Sequence, residues 1–289
     1  MPVIRGLLAG MQAPESKYAG AVETSEQLVP GQSGTPDVRV MVSRPSDESG
    51  PHRPAVLWIH GGGYVIGRPE QNQSLVEDLA FELGCVVVAV AYRLAPETPF
   101  PGPVEDCFSA LQWIHREADT LGVDTRRVAV AGESAGGGLA AALCLLARDR
   151  GGPAICQSLL VYPMLDDRTA VEEEPDPYTG QFVWTRADNT YGWAALLGVP
   201  PGGEQVSPYA AAARATDLTG LPPTFLSVGT LDLLKAECLD FAQRLMQAGV
   251  PTDLHVYSGA FHGFFAFDGS NVSSRHRGEF FGALRRSFS

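Results

Sequence analysis

The chain of 289 residues is 45% hydrophobic and 19% charged, so it can bury a large core and lies near the upper limit for one domain. Its formal net charge is −12, and its only lysines are Lys17 and Lys235. Binding to a phosphate backbone requires clustered cations, so we expect neither nucleic acid nor an anionic membrane as a partner.

The cysteines are scattered and odd in number, and they form no C-x-x-C pair, which argues against a zinc site or a disulfide framework. They are Cys85, Cys107, Cys144, Cys156 and Cys238. Residues 1–10 have too short an apolar run for a signal peptide, and no later segment approaches the length of a membrane span. We expect a soluble, cytoplasmic protein with reduced, mostly buried thiols.

The first part of the chain leads into two strands. Residues 1–37 carry weak helical patterning and end in a loop containing glycine and proline, and we interpret them as an N-terminal lid segment. Residues 37–43 alternate between apolar and polar, which predicts a half-buried strand. Residues 55–59 are a continuous apolar run, typical of a strand covered on both faces, and they end at His60 and three glycines.

Strands and helices then alternate. A helix is predicted over residues 71–83, a buried strand over 85–91, and a second helix that ends near residue 120. An apolar strand at residues 127–131 breaks on glycine, and a helix follows to residue 150. Alternation of this kind predicts a parallel sheet wrapped by helices.

The alternation is interrupted after a strand at residues 157–162. Residues 166–206 are rich in acidic residues, prolines and aromatics, and we interpret them as a lid insertion at the carboxyl end of that strand. Its aromatics fit a small lid core and a substrate contact about equally well. Strands at residues 224–229 and 252–257 follow, each before a helix, and we assign residues 38–289 to one catalytic domain.

Residues 132–136, Gly-Glu-Ser-Ala-Gly, lie between a strand and a helix and fit the G-x-S-x-G nucleophile elbow. In that motif, flanking glycines leave room for a strained turn that exposes the serine hydroxyl. The helix that follows directs free N–H groups back toward the turn, where they can hold negative charge. Ser134 is therefore the candidate nucleophile.

A serine hydroxyl needs a base to take its proton and a carboxylate to hold that base. His262 follows the last strand in a loop with glycine, whereas His60 adjoins the triple glycine and is interpreted as a brace for that loop. In the chain order Ser, acid, His, the best acid is Asp232, just past a strand. Glu237 competes but falls within the next helix, where a solvated or structural charge is expected.

The tetrahedral oxyanion of such a reaction needs N–H donors fixed in place before the reaction. The triple glycine after His60 can direct two backbone N–H groups inward, because glycine lets the backbone approach a substrate closely. The N–H of Ala135 at the elbow can supply a third.

Five motifs together resemble those of the bacterial hormone-sensitive-lipase-like carboxylesterases, most closely the heroin esterase branch. They are residues 60–63 (His-Gly-Gly-Gly), 92–97 (Tyr-Arg-Leu-Ala-Pro-Glu), 132–137 (Gly-Glu-Ser-Ala-Gly-Gly), 232–237 (Asp-Leu-Leu-Lys-Ala-Glu) and 262–264 (His-Gly-Phe). The resemblance runs from about residue 38 to the end. Two of these motifs differ from the usual pattern: Glu133 stands where Asp is commonest, and residues 232–235 are Asp-Leu-Leu-Lys where Asp-Pro-Leu-Arg is usual.

The resemblance implies an α/β-hydrolase fold, with a mostly parallel sheet of about eight strands flanked by helices and a small lid. It implies Ser134 as nucleophile, His262 as base and Asp232 as acid. It also implies an oxyanion hole made by three residues, Gly61, Gly62 and Ala135. The resemblance further implies a homodimer that pairs through the last strand.

We therefore predict a serine carboxylesterase that hydrolyses short-chain esters of small molecules through an acyl-enzyme intermediate, with no metal or organic cofactor. A receptor that binds small ligands on the same fold is an alternative, although the retained His262 favours an enzyme. Amide or lactone hydrolysis would use the same machinery. Residues 136–141 also fit the dinucleotide fingerprint G-x-G-x-x-A, but the acid that this motif requires is not correctly placed.

Overall fold

One sheet of eight strands forms the centre of the molecule, in the order β1-β2-β4-β3-β5-β6-β7-β8. A computed structural model describes residues 16–47, 52–174, 176–267 and 269–289. Strand β2 is antiparallel to both β1 and β4, and all other neighbouring strands are parallel. The strands are β1 (Val22–Val29), β2 (Val38–Pro45), β3 (Arg53–Ile59), β4 (Val86–Ala91), β5 (Val123–Glu133), β6 (Gln157–Val161), β7 (Thr224–Gly229) and β8 (Thr252–Tyr257).

Helices flank this sheet, and the predicted mostly parallel sheet of about eight strands is confirmed. The helices are α1 (Gln73–Leu83), α2 (Gly102–Arg116), α3 (Ala118–Leu121), α4 (Ala135–Asp149), α5 (Arg186–Leu197), α6 (Lys235–Gln247) and α7 (Asn271–Ser287). Strand–helix alternation puts helices over both faces of the sheet, so the central strands read as unbroken apolar runs. Every residue from Ala55 to Ile59 in β3 is fully buried.

The central helix α4 packs very closely on the sheet. A Cβ placed on Gly136, in its first turn, would overlap the carbonyl oxygens of Ile59 and His60 at the end of β3. Only glycine allows two backbones to approach this closely. The glycines after Ser134 therefore bring the start of α4 against the loop that follows β3.

The structure corrects one expectation for the N-terminal segment. The helical patterning expected in residues 1–37 is wrong for Val22–Val29, which form strand β1 and pair with β2 along its whole length. Only Val22 and Val29 of β1 are buried, because β1 lies at the edge of the sheet. Its sequence therefore lacks the period-two alternation that marks a half-buried strand. Residues 1–15 lie outside the described residues.

Candidate active site

Four loops meet at one edge of the sheet because the carboxyl ends of parallel strands lie together there. Residues 60–63 follow β3, Ser134 follows β5, Asp232 lies three residues after β7, and His262 lies in the loop after β8. The predicted lid insertion begins after β6, at the same edge. Alternation of strands and helices thus brings together residues that are far apart in the sequence.

Ser134 adopts a strained backbone conformation, with φ 55° and ψ −122°, at the junction of β5 and α4. Positive φ is costly for a residue with a Cβ and persists only when its surroundings hold it. Its N–H donates to the Val161 carbonyl, and its own carbonyl accepts from the N–H groups of Gly138 and Met164, all within 3.0 Å. Strand β6, the loop that follows it and helix α4 therefore fix the sharp turn that carries the hydroxyl.

The three predicted catalytic side chains form one hydrogen-bonded chain. The Ser134 Oγ lies 2.8 Å from His262 Nε2, and His262 Nδ1 lies 2.9 Å from Asp232 Oδ2. Asp232 is fully buried, and its Oδ1 also accepts from the Leu234 N–H at 2.9 Å. Since a carboxylate can only accept, Nδ1 carries the proton and Nε2 is free to accept from the serine.

The glycine loop lies directly against the elbow. A Cβ placed on Gly61 would be 3.3 Å from the Cβ of Ser134. In the described part of the chain, the N–H groups of Gly61 and Gly62 donate to no backbone carbonyl. The Gly62 carbonyl accepts from Val65 and Ile66, which closes the turn. These N–H groups, and that of Ala135 at the start of α4, are free to bind an oxyanion.

His60 holds the glycine loop in place through a hydrogen bond, as the sequence predicted. Its Nδ1 donates to the Gly61 carbonyl at 2.8 Å, and its ring stacks on Tyr92 with centroids 4.2 Å apart. The Tyr92 hydroxyl donates to the His60 carbonyl at 3.0 Å. Burial lowers the pKa of His60 to about 4, because desolvation disfavours the charged imidazolium. His60 is therefore neutral and held in one tautomer.

A second set of contacts, which could not be predicted from the sequence, connects the glycine loop to His262. Glu133, beside the nucleophile, accepts from Asn72 Nδ2 and from the Tyr162 hydroxyl, both at 2.9 Å. The Tyr162 ring lies 4.8 Å from the ring of His262. A Cβ on Gly61 would lie 3.3 Å from Glu133 Cγ. Glu133 thus lies against the glycine loop through its Cγ, and its carboxylate holds the tyrosine that packs on His262.

Glu237, the competitor for the acid, does not reach His262 and is buried rather than solvated. Its Oε1 accepts from the N–H groups of Leu165 (2.6 Å) and Asp166 (3.3 Å), and its Oε2 contacts the Thr169 hydroxyl. Glu237 therefore holds the start of the insertion against α6. Desolvation raises its pKa to about 8.

This raised pKa predicts a pH-dependent stability. Between pH 4.5 and about 8, folded Glu237 keeps a proton that the unfolded chain has released, so stability falls as pH rises through that window and levels off above it. Glu237→Gln keeps the acceptor oxygen but cannot ionise. We expect urea unfolding at pH 5, 7 and 9 to show the parent losing free energy of unfolding relative to this variant as pH rises. A constant difference between the two proteins would contradict the raised pKa.

The chain holds a second buried Ser–His contact, between Ser227 Oγ and His276 Nε2 at 2.9 Å. Both residues are fully buried, and no partner for His276 Nδ1 is found among the described residues. Desolvation lowers the pKa of His276 to about 3, so its imidazole stays neutral. Among the described residues no carboxylate contacts His276 Nδ1, so this pair lacks the acid that completes the chain of contacts at Ser134.

Outside the site, Asp106 accepts from the Arg93 guanidinium in a close ion pair, at 2.6 Å. All five cysteines are unpaired; Cys156 is half-buried and the others are buried. None of the helices in the described residues combines the length and the hydrophobicity of a transmembrane span. In that same part of the chain, no cluster of His, Cys, Asp and Glu could hold a metal ion.

Comparisons with known proteins agree with this geometry. Residues 56–266 match the family model described as the alpha/beta hydrolase fold. Esterase LipI of Mycobacterium tuberculosis is 36% identical over 220 residues, which cover 75% of this chain and 67% of LipI. Carboxylesterase NlhH of the same species is 33% identical over 246 residues, covering 84% of this chain and 76% of NlhH.

The solved structure of bacterial heroin esterase superimposes with a TM-score of 0.89 at 42% sequence identity, covering all of this chain and 90% of the other. That of esterase LipW from Mycobacterium marinum gives a TM-score of 0.82 at 35% identity, covering 94% of this chain and 84% of the other. The chain therefore belongs to the α/β-hydrolase family, in the hormone-sensitive-lipase-like group of carboxylic ester hydrolases.

Proposed function

We propose that this carboxylesterase works through Ser134 as nucleophile, His262 as general base and acid, and Asp232 as the carboxylate that orients His262. His262 Nε2 takes the hydroxyl proton as the oxygen attacks the ester carbonyl, then returns it to the leaving alcohol. The observation that carries the proposal is the unbroken chain of contacts from the serine hydroxyl to the buried carboxylate.

The N–H groups of Gly61, Gly62 and Ala135 are proposed to bind the negative oxygen of both tetrahedral intermediates. These donors are fixed before the reaction, so they stabilise developing charge without having to reorganise. In the second half-reaction His262 activates a water molecule, which attacks the acyl carbon and releases Ser134. Every proton transfer in this cycle passes through His262 Nε2.

A phosphonate inhibitor tests the nucleophile directly. A p-nitrophenyl phosphonate mimics the ester but leaves a stable adduct on the attacking oxygen. We expect one equivalent of p-nitrophenol, parallel loss of esterase activity, and one adduct on the peptide that contains Ser134. Ser227, in the second Ser–His pair, is expected to stay unlabelled because it is fully buried. An adduct on any other residue, with activity lost in step, would overturn the assignment of Ser134.

The substrate is proposed to be a small ester with a short acyl chain, admitted beneath a lid. Residues 166–206 are the proposed lid insertion, and residues 1–37 the proposed N-terminal lid segment, of which Val22–Val29 belong instead to the central sheet as β1. Support for the first comes from Trp184, whose ring lies 6.0 Å from that of His262. A series of esters with acyl chains from acetate to laurate tests this preference, and faster hydrolysis of laurate than of acetate would exclude a preference for short chains.

We also propose a homodimer and a cytoplasmic location. Strand β8 lies at the edge of the sheet, and its Val256 side chain is exposed, so a second copy could continue the sheet there. Sedimentation velocity that shows a monomer at micromolar concentration would exclude the dimer. Five unpaired cysteines support a reducing compartment, and cell fractionation would test it.

A further inference from the structure

The segment from Gly180 to Trp184, in the insertion, runs across the loops that carry the proposed acid and base. The N–H of Gly180 donates to the Leu231 carbonyl at 3.3 Å, next to Asp232. A Cβ placed on Gly263, next to His262, would lie 3.5 Å from the Val183 side chain. The segment is therefore held over the site before it reaches Trp184.

The indole of Trp184 occupies the space above the glycine loop. A Cβ placed on Gly63 would overlap the Cη2 atom of Trp184, so the benzo edge of the ring lies where any other residue would have its side chain. Gly63 also has a φ of +59°, a conformation that favours glycine. The indole thus packs against the backbone that continues from the proposed oxyanion donors.

The opposite edge of the indole is fixed as well. Its Nε1 donates to Asn189 Oδ1 at 3.2 Å, and Asn189, in α5, is fully buried. A Cβ on Gly192, one turn further along α5, would lie 2.8 Å from the Gly63 carbonyl oxygen. Helix α5 therefore packs directly on the glycine loop and holds the indole between them. A ring held at both edges cannot move aside as a flexible side chain would.

The backbone before Trp184 is strained in a way that places the ring. Val183 has a φ of +60°, and the Trp184 N–H donates across it to the Phe182 carbonyl at 2.6 Å. This three-residue turn is rare, and a β-branched residue at positive φ is an outlier that persists only when its surroundings hold it. Val183 is 61% exposed, so its own side chain gains little from the arrangement. The effect of the turn is to direct the Trp184 ring toward His262 and the glycine loop.

We propose that Trp184 is the specificity-determining residue of this esterase: a rigid wall between the glycine loop and His262 that selects esters with slender acyl and alcohol groups. The proposal rests on the function proposed above. The indole is half-buried, so one part of it remains free to contact a substrate. Bulk on either side of the ester carbonyl would collide with it, whereas acetate and other small groups would pass.

Trp184→Ala tests the wall with two series of substrates. One holds the p-nitrophenol leaving group and lengthens the acyl chain from acetate to octanoate, and the other holds acetate and enlarges the alcohol. We expect the ratio of kcat/KM for the larger substrate over the smaller to rise about tenfold or more in at least one series. Trp184→Phe is expected to give an intermediate ratio. Tyr191→Ala is the matched control, since this aromatic lies on α5 but is 44% exposed.

The outcomes distinguish failure of the proposed role of Trp184 from failure of the proposed esterase function. If the parent protein hydrolyses no ester, the proposed function fails. If the parent is active and both ratios stay unchanged in Trp184→Ala, the wall is overturned. Trp184→Ala could also lose activity toward acetate. In that case the kcat/KM ratio of larger to smaller substrate is compared between Trp184→Phe and the parent, and an unchanged ratio overturns the proposed role of Trp184. Equal shifts in Trp184→Ala and Tyr191→Ala would also overturn it, because general loosening of the insertion would then explain both.

Discussion

Ser134→Ala is expected to lower kcat for a short-chain p-nitrophenyl ester by a factor on the order of 10⁵ to 10⁶. The substitution removes the oxygen that attacks the carbonyl, and no other hydroxyl takes its place beside His262 Nε2 among the described residues. The proposed oxyanion donors belong to the backbone and remain, so a rate about 10³ to 10⁴ above the uncatalysed reaction is expected to persist. The measurement is the steady-state rate of p-nitrophenol release, taken after any initial burst, with highly purified protein.

Ser227→Ala is the matched control for this experiment. It removes the hydroxyl of the other Ser–His contact, so it repeats the chemical change at a fully buried position. We expect kcat within a few-fold of the parent and a loss of about 1 kcal/mol in the free energy of unfolding, since one hydrogen bond to His276 is lost. A Ser134→Ala protein with parent-like kcat, or a Ser227→Ala protein with the large loss, would refute the proposed nucleophile.

The positions of the loops could be predicted from sequence because the sheet is parallel and buried. Strands covered on both faces read as continuous apolar runs, and the residue type that ends each run is visible: a histidine with glycines after β3, a serine between glycines after β5. Since parallel strands end at one edge, adjacency in space follows without knowledge of side-chain contacts. This reasoning brought Ser134, Asp232 and His262 to one place.

The contacts between the loops could not be predicted in the same way. Tyr162 stands at the end of a buried strand, where its side chain reads as core, and only the fold reveals that its hydroxyl meets Glu133 while its ring packs on His262. Trp184 lies in an irregular segment without periodicity, so no pattern indicates where its ring points. Such contacts depend on loop geometry, which local sequence does not determine.

The acid is the part of the site where sequence left a choice, and Asp232→Asn resolves it. The amide introduced by this substitution would keep an oxygen to accept the Leu234 N–H, but its nitrogen can donate to His262 Nδ1. The imidazole would then carry its proton on Nε2, facing Ser134, and could not take the serine proton. A fall in kcat of about 10⁴ is expected, with little change in fold, since the geometry is preserved.

Glu237→Gln provides the comparison, because Glu237 is the other carboxylate in residues 232–237 and is also buried. Its contacts are with Leu165, Asp166 and Thr169 at the start of the insertion, so its side chain has no direct part in holding His262. We expect kcat at pH 7 within a few-fold of the parent. A small effect of Asp232→Asn together with a large effect of Glu237→Gln would exchange the two assignments. We expect kcat of Asp232→Asn to be at least a hundredfold below that of Glu237→Gln. The reason is that the buried carboxylate of Asp232, 2.9 Å from His262 Nδ1, sets the tautomer of the base.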